Sequence, residues 1–172
     1  MSYANSASGL DPLQWLGLPV ITAVSATIFL AVPLRVFGLQ LPEPVFPLLL
    51  AFAWAVIRPS MLAPLVLLAV GFFLDIFWGG PAGLWVLALL SAYGLVLAVR
   101  ATLTGRGAVV LWIWYGCACA LAFGVGTLVT VVKTGAAPNL LALFWQFFIT
   151  LLLYPFAHRL IERFEDADVR FR

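Results

Sequence analysis

Long apolar runs separated by short polar breaks dominate the chain, and the breaks locate the elements. The first run extends from Trp15 to Leu34, stops at Arg35, and leads into a loop that takes Pro42, Glu43 and Pro44. The second, Val45 to Ile57, halts at Arg58-Pro59-Ser60. The third, Met61 to Trp78, ends at Gly79-Gly80-Pro81, a break short enough to predict a tight helical hairpin into the fourth, Ala82 to Val99. After Arg100, Gly105, Arg106 and Gly107 comes the fifth, Ala108 to Val132, closed by Lys133, Gly135 and Pro138. The sixth starts at Asn139, a residue type suited to an N-cap, and runs to Ala157. A spanning helix uses roughly 20 residues. The pattern therefore predicts an all-α integral membrane protein, a six-transmembrane-helix bundle with spans over 15–34, 45–57, 61–78, 82–99, 108–132 and 139–157. Short tails, 1–14 and 158–172, flank it. The second run is short for a bilayer and is expected to tilt little, thin the membrane locally, or be partly buried.

Composition agrees. Of 172 residues 65% are apolar and 9% charged, whereas a soluble domain is about half apolar and a quarter charged. The net charge of +2 is spread thinly, so there is no polybasic patch and nucleic acid is not an expected partner. With the N-terminus inside, the short inner loops and tail collect Arg58, Arg100, Arg106, Arg159, Arg163, Arg170 and Arg172, leaving Arg35 and Lys133 outside. The positive-inside rule then predicts both termini in the cytoplasm. Trp15, Trp112, Trp114 and Tyr115 fall near the inner interface and Trp78 and Trp85 near the outer one, while Trp54 and Trp145 read as packing residues. Cys117 and Cys119 point to different sides of one helix and read as small core residues. In the tail, Leu160, Ile161 and Phe164 recur at helical spacing among charges. That fits a surface or partner-bound helix, and equally a solvated end.

An ionisable group inside a span is a functional candidate, because placing it there costs about 2.5–3.5 kcal/mol. Asp75 is the strong case. Gly71, Asp75 and Gly79 are spaced by four, which puts the carboxylate between two glycines on one helix face, where a neighbouring backbone can come close. Its possible partners are Arg35 and the backbone N–H groups that open the fourth helix after Pro81. Asp75 is thus read as a pin of the hairpin, with a proton or ligand site and contact with another protein as alternatives. Gly116, Ala120 and Gly124 form a small-residue ladder for close packing, within the bundle or in a homodimer. The single histidine, His158, lies at a span end. No His-based dyad, metal set or phosphate-cradling glycine motif is legible, so neither an enzyme nor a cofactor is expected.

The stretch from Pro44 to Leu95 carries a resemblance. The short run Leu48-Leu49-Leu50-Ala51-Phe52-Ala53-Trp54-Ala55 leads to Arg58-Pro59, then Gly71-Phe72-Phe73-Leu74-Asp75 with Gly79, Gly83 and Tyr93. Together with Tyr154-Pro155-Phe156, His158-Arg159 and Glu162-Arg163, this resembles the MreD family, small membrane rod shape-determining proteins of bacteria. Where that family often opens its second span with Arg-Pro, this chain has Pro42-Glu43-Pro44.

The resemblance implies a non-enzymatic scaffold of the elongation machinery in the bacterial inner membrane. It would contact the bitopic protein MreC and, through the assembly, MreB, RodA and its partner transpeptidase. It also implies a fold similar to the substrate-binding components of energy-coupling-factor vitamin transporters, which supplies a rival function. A vitamin binder needs a roomy pocket with several convergent polar groups, and the sequence offers few. The expected centre is Gly71, Asp75, Gly79 and Gly83, and the inner loop with Arg100 and Arg106 is expected to face cytoplasmic partners.

Overall fold

The computed structural model describes residues 17–30, 35–36, 39–40, 43–57, 60–103, 105–159 and 161. Six helices occur among them: α1 (Leu18–Leu30), α2 (Phe46–Ile57), α3 (Leu62–Phe77), α4 (Leu84–Leu103), α5 (Ala108–Thr134) and α6 (Leu140–Leu151). Between α1 and α2 the expected loop contains a two-residue antiparallel ladder, β1 (Arg35–Val36) with β2 (Leu39–Gln40), in which Arg35 lies opposite Gln40. Three helical stretches are long and apolar enough to cross a membrane: α4, α5 and the continuation of α6 over Leu140–Arg159. The other three are shorter apolar helices.

The helix ends follow local chemistry. Pro19, Pro47 and Pro64 fall in the first turns of α1, α2 and α3, where a missing N–H removes no helical bond. Asn139 caps α6, its side chain accepting from the Leu141 and Ala142 N–H groups at 3.0 and 3.4 Å. Gly135 ends α5 in the left-handed region (φ 68°), its N–H donating to the Val131 carbonyl. The sixth run was expected to be one unbroken helix, yet a turn occupies Leu152–Leu153 before the helix resumes over 154–159. Pro155 explains the break, since it has no N–H to offer the Leu151 carbonyl.

The helix at the centre is the short one. Every residue from Pro47 to Val56 is buried, as a helix that is apolar all round should be. Helix α4 packs against α2, α3 and α5, and α6 lies against α5. Fully enclosed Phe52, Trp54 and Tyr115 fill the middle, with the Phe52 and Tyr115 rings edge-on at 5.2 Å. Trp54 is a packing residue as expected, whereas Trp145 is 47% exposed beside Phe144 and Phe148. Cys119 is buried but Cys117 is exposed, so only one of the two is a core residue. Ile161 is buried in the same core. That part of the tail closes on its own chain, and residues 162–172 lie outside the described residues.

The exterior is as apolar as the interior: Phe29, Ile76 and Val132 are each at least 75% exposed. Burial against lipid gains little between apolar helices, so their association rests on close van der Waals fit and on hydrogen bonds between elements. Those bonds are few and specific, and they define the site.

Candidate functional site

Helix α3 ends in a Schellman arrangement. The Gly80 N–H donates to the Asp75 carbonyl (3.2 Å) and the Gly79 N–H to that of Ile76 (3.4 Å). Gly79 supplies the left-handed backbone this needs (φ 62°). It therefore stands beyond the helix end with open space around its Cα. The expectation that it shares a helix face with Gly71 and admits a neighbour is corrected here: Gly71 admits the neighbour, α4, and Gly79 makes the turn.

Asp75, 4% exposed, reaches across that turn. Its Oδ2 accepts the Gly83 N–H at 2.7 Å and its Oδ1 the Trp85 N–H at 2.8 Å. The start of the next helix, one of the two partners the sequence allowed, is engaged. The carboxylate does for α4 what an N-cap side chain does, taking orphan N–H groups of the first turn and placing negative charge at the positive end of the helix dipole. Gly83 has φ 91°, a conformation that disfavours any residue with a β-carbon.

A second acidic residue adjoins this pin. Glu43 Oε2 accepts from the Trp78 indole N–H at 2.8 Å, and the Glu43 carbonyl accepts from Gln146 Nε2 at 3.1 Å. The chain entering α2 is thereby tied to the end of α3 and to α6. Trp78 and Trp85 lie with ring centroids 4.9 Å apart, and Phe123 stands edge-on to Trp85 at 6.3 Å. A recess of about 170 Å³ opens beside them, between the start of α4, the end of α5 and the start of α6. In the sequence alone Glu43 reads as a loop residue. Its one signal was an acid set between two prolines at the border of an apolar run.

Both ends of α2 are held from other helices. At its start, Val45 donates its N–H to Thr150 Oγ1 (3.2 Å), and that hydroxyl donates in turn to the Gln146 carbonyl (2.7 Å). At its end, Arg100 donates from Nε to the Val56 carbonyl (3.1 Å) and from Nη2 to that of Ile57 (3.3 Å). Arg100 was expected to face cytoplasmic partners, but its guanidinium is turned inward onto orphan carbonyls of α2. Arg106 is exposed in the α4–α5 loop. Tyr93 is buried on α4.

The small-residue ladder divides. Gly116 faces α6, where an added β-carbon would stand 3.4 Å from Leu151 Cδ1. Ala120 and Gly124 are exposed on α5, with nothing near the Gly124 Cα. Among the described residues these two are left open to the outside. Arg58 and Pro59 lie outside the described residues, as does the Arg35 side chain.

Asp75, Arg100, Gln146 and Thr150 are thus each engaged with backbone from a different element, an arrangement suited to fixing helices. Comparison of the chain with protein-family models, with curated proteins and with solved structures finds no match.

Proposed function

We propose that this chain is a non-enzymatic membrane scaffold of the bacterial elongation complex, a six-span bundle with both termini in the cytoplasm. It would sit in the inner membrane and organise lateral wall synthesis through contact with MreC and, by way of the assembly, MreB, RodA and its partner transpeptidase. The observation that carries this reading is the double acceptance by Asp75 of the Gly83 and Trp85 N–H groups. It makes the residues that resemble the MreD family, Gly71, Asp75, Gly79 and Gly83, a joint between two helices. A rigid joint with wide apolar outer faces suits a platform on which partner helices pack through van der Waals contact. The exposed Ala120 and Gly124 suit such a contact, with a partner helix or with a second copy.

The rival reading, a vitamin-binding transporter component, has less support: among the described residues the recess with polar groups holds about 170 Å³, below the roughly 300–1,000 Å³ of small-molecule sites, and the larger groove of about 400 Å³ between α1 and α3 is lined by apolar residues alone, without the convergent polar groups such a site uses. Affinity purification from the native membrane in mild detergent tests the proposal. Recovery of MreC with wall enzymes, weakened by Asp75→Ala, is the expected result. Recovery of an ATPase pair with a bound vitamin would replace this reading with the rival one.

A further inference from the structure

The recess beside the Asp75 joint has walls of two kinds. Trp85 and Phe123 supply aromatic surface, and Thr127, Thr130 and Gln146 supply polar atoms. Most of those polar atoms can only accept. The Thr127 hydroxyl already donates to the Phe123 carbonyl at 2.8 Å and that of Thr130 to the Gly126 carbonyl at 2.9 Å. A hydroxyl that has given up its one hydrogen can only accept further bonds. Gln146 spends one of its two amide hydrogens on the Glu43 carbonyl and keeps its side-chain carbonyl oxygen as an acceptor. The lining, all of it among the described residues, includes no Lys, Arg, Asp or Glu. Such a site has no fixed charge to hold an anion or a cation.

We propose that this recess binds the hydrogen-bond-donating end of a neutral amphipath, a hydroxyl-bearing group whose protons meet Thr127, Thr130 and Gln146 and whose apolar part lies on Trp85 and Phe123. The volume is about 170 Å³, several times what one water molecule needs. It fits a small alcohol or the terminal few atoms of a lipid with an uncharged, hydroxylated head. The site does not depend on the docking role and would exist whether or not the chain joins a wall-building assembly.

The test uses the full chain purified in detergent, with native mass spectrometry and thermal melting as readouts and three probes. Monooleoylglycerol carries donors on a lipid, 1,2-hexanediol carries them on a small free molecule, and methyl oleate has the apolar chain without a donor. Binding and stabilisation by monooleoylglycerol well above methyl oleate would support the site with a lipid as its source. Preference for the diol would support it with a free molecule. Thr127→Val with Thr130→Val keeps the shape of the walls and removes two acceptors, and should weaken the preferred probe at least tenfold. Gly126→Leu fills the recess and should abolish binding, which keeps the test decisive if the double variant folds poorly. Equal binding of all three probes, no binding of any, or binding unchanged by a folded variant would overturn the proposal.

Discussion

Gly71 and Val86 bring two helix backbones into direct contact: a β-carbon built on Gly71 would stand 2.6 Å from the Val86 Cα and 2.7 Å from its nitrogen. Neither atom belongs to a side chain that could swing aside. Four residues further along α3, Asp75 holds the first turn of α4. A steric condition and a hydrogen-bond condition thus fix the same helix pair one turn apart.

Gly71→Ala should therefore be among the most damaging methyl additions to this chain. Overpacking costs typically about 1–3 kcal/mol, and a backbone neighbour puts this site at or above the upper end. Melting in detergent should fall clearly below the wild type, and an unchanged melting point would show that α3 and α4 separate easily.

Asp75→Ala leaves two N–H groups at the start of α4 without acceptors, at about 1–3 kcal/mol each. Asp75→Asn keeps one acceptor and turns an amide NH2 toward the other donor, so it should lie between alanine and wild type. Hydrogen exchange at Gly83 and Trp85 should accelerate in the same order. Equal exchange in all three proteins would remove the side chain from any part in capping α4.

Arg100→Ala strips the donors from the Val56 and Ile57 carbonyls and should lower stability by about 1–3 kcal/mol. Lysine has no planar fork and would reach at most part of that pair, so Arg100→Lys should recover only some of the loss. A purely electrostatic role would instead let lysine recover all of it, as thermal melting of the three proteins would reveal.

Thr150→Val removes both the acceptor for the Val45 N–H and the donor to Gln146 while nearly preserving volume. Because the site is fully enclosed, water cannot substitute, and a loss of about 1–3 kcal/mol is expected. Thr150→Ser should retain most of the stability. If valine and serine behave alike, the hydroxyl contributes nothing.

Gly116 and Gly124 should respond in opposite ways. Gly116→Leu drives a side chain into Leu151, whereas Gly124→Leu meets open space and replaces a poor helix former by a good one, a gain of up to about 1 kcal/mol. Should Gly124→Leu nevertheless reduce co-purification of a partner or of a second copy, the exposed face would be marked as a contact surface. A fall in melting temperature for Gly124→Leu would instead place a neighbour there.

Much of the architecture is legible in the apolar runs. The run from Val45 to Ile57 differs from α2 by one residue, and the Gly79-Gly80-Pro81 break falls at the α3–α4 turn. Asn139 is the cap it looks like, because capping is local chemistry. What the runs do not reveal depends on distant neighbours. Arg100 reads as a loop cation because its acceptors lie over forty residues upstream, and the Val45–Thr150 bond joins residues 105 positions apart. The roles of Gly71 and Gly79 cannot be separated by their spacing, since a close approach and a left-handed turn both select glycine. Burial on all sides of α2 is likewise invisible in composition, because lipid and protein interior favour the same residues.

That enclosed helix also sets an order of events during synthesis. At 12 residues, or about 18 Å long, α2 is shorter than a hydrocarbon layer of roughly 30 Å and depends on its neighbours to hold both ends. When it leaves the ribosome, neither of its end clamps has yet been made. Translation proceeds at about 5–20 residues per second, so Arg100 arrives seconds after α2 and Thr150 later still. The segment must wait, half-supported, until α4 and then α6 have been made and packed around it. Truncation of the nascent chain before α6 should expose α2 to membrane quality-control proteases, and truncation after Ala157 should protect it.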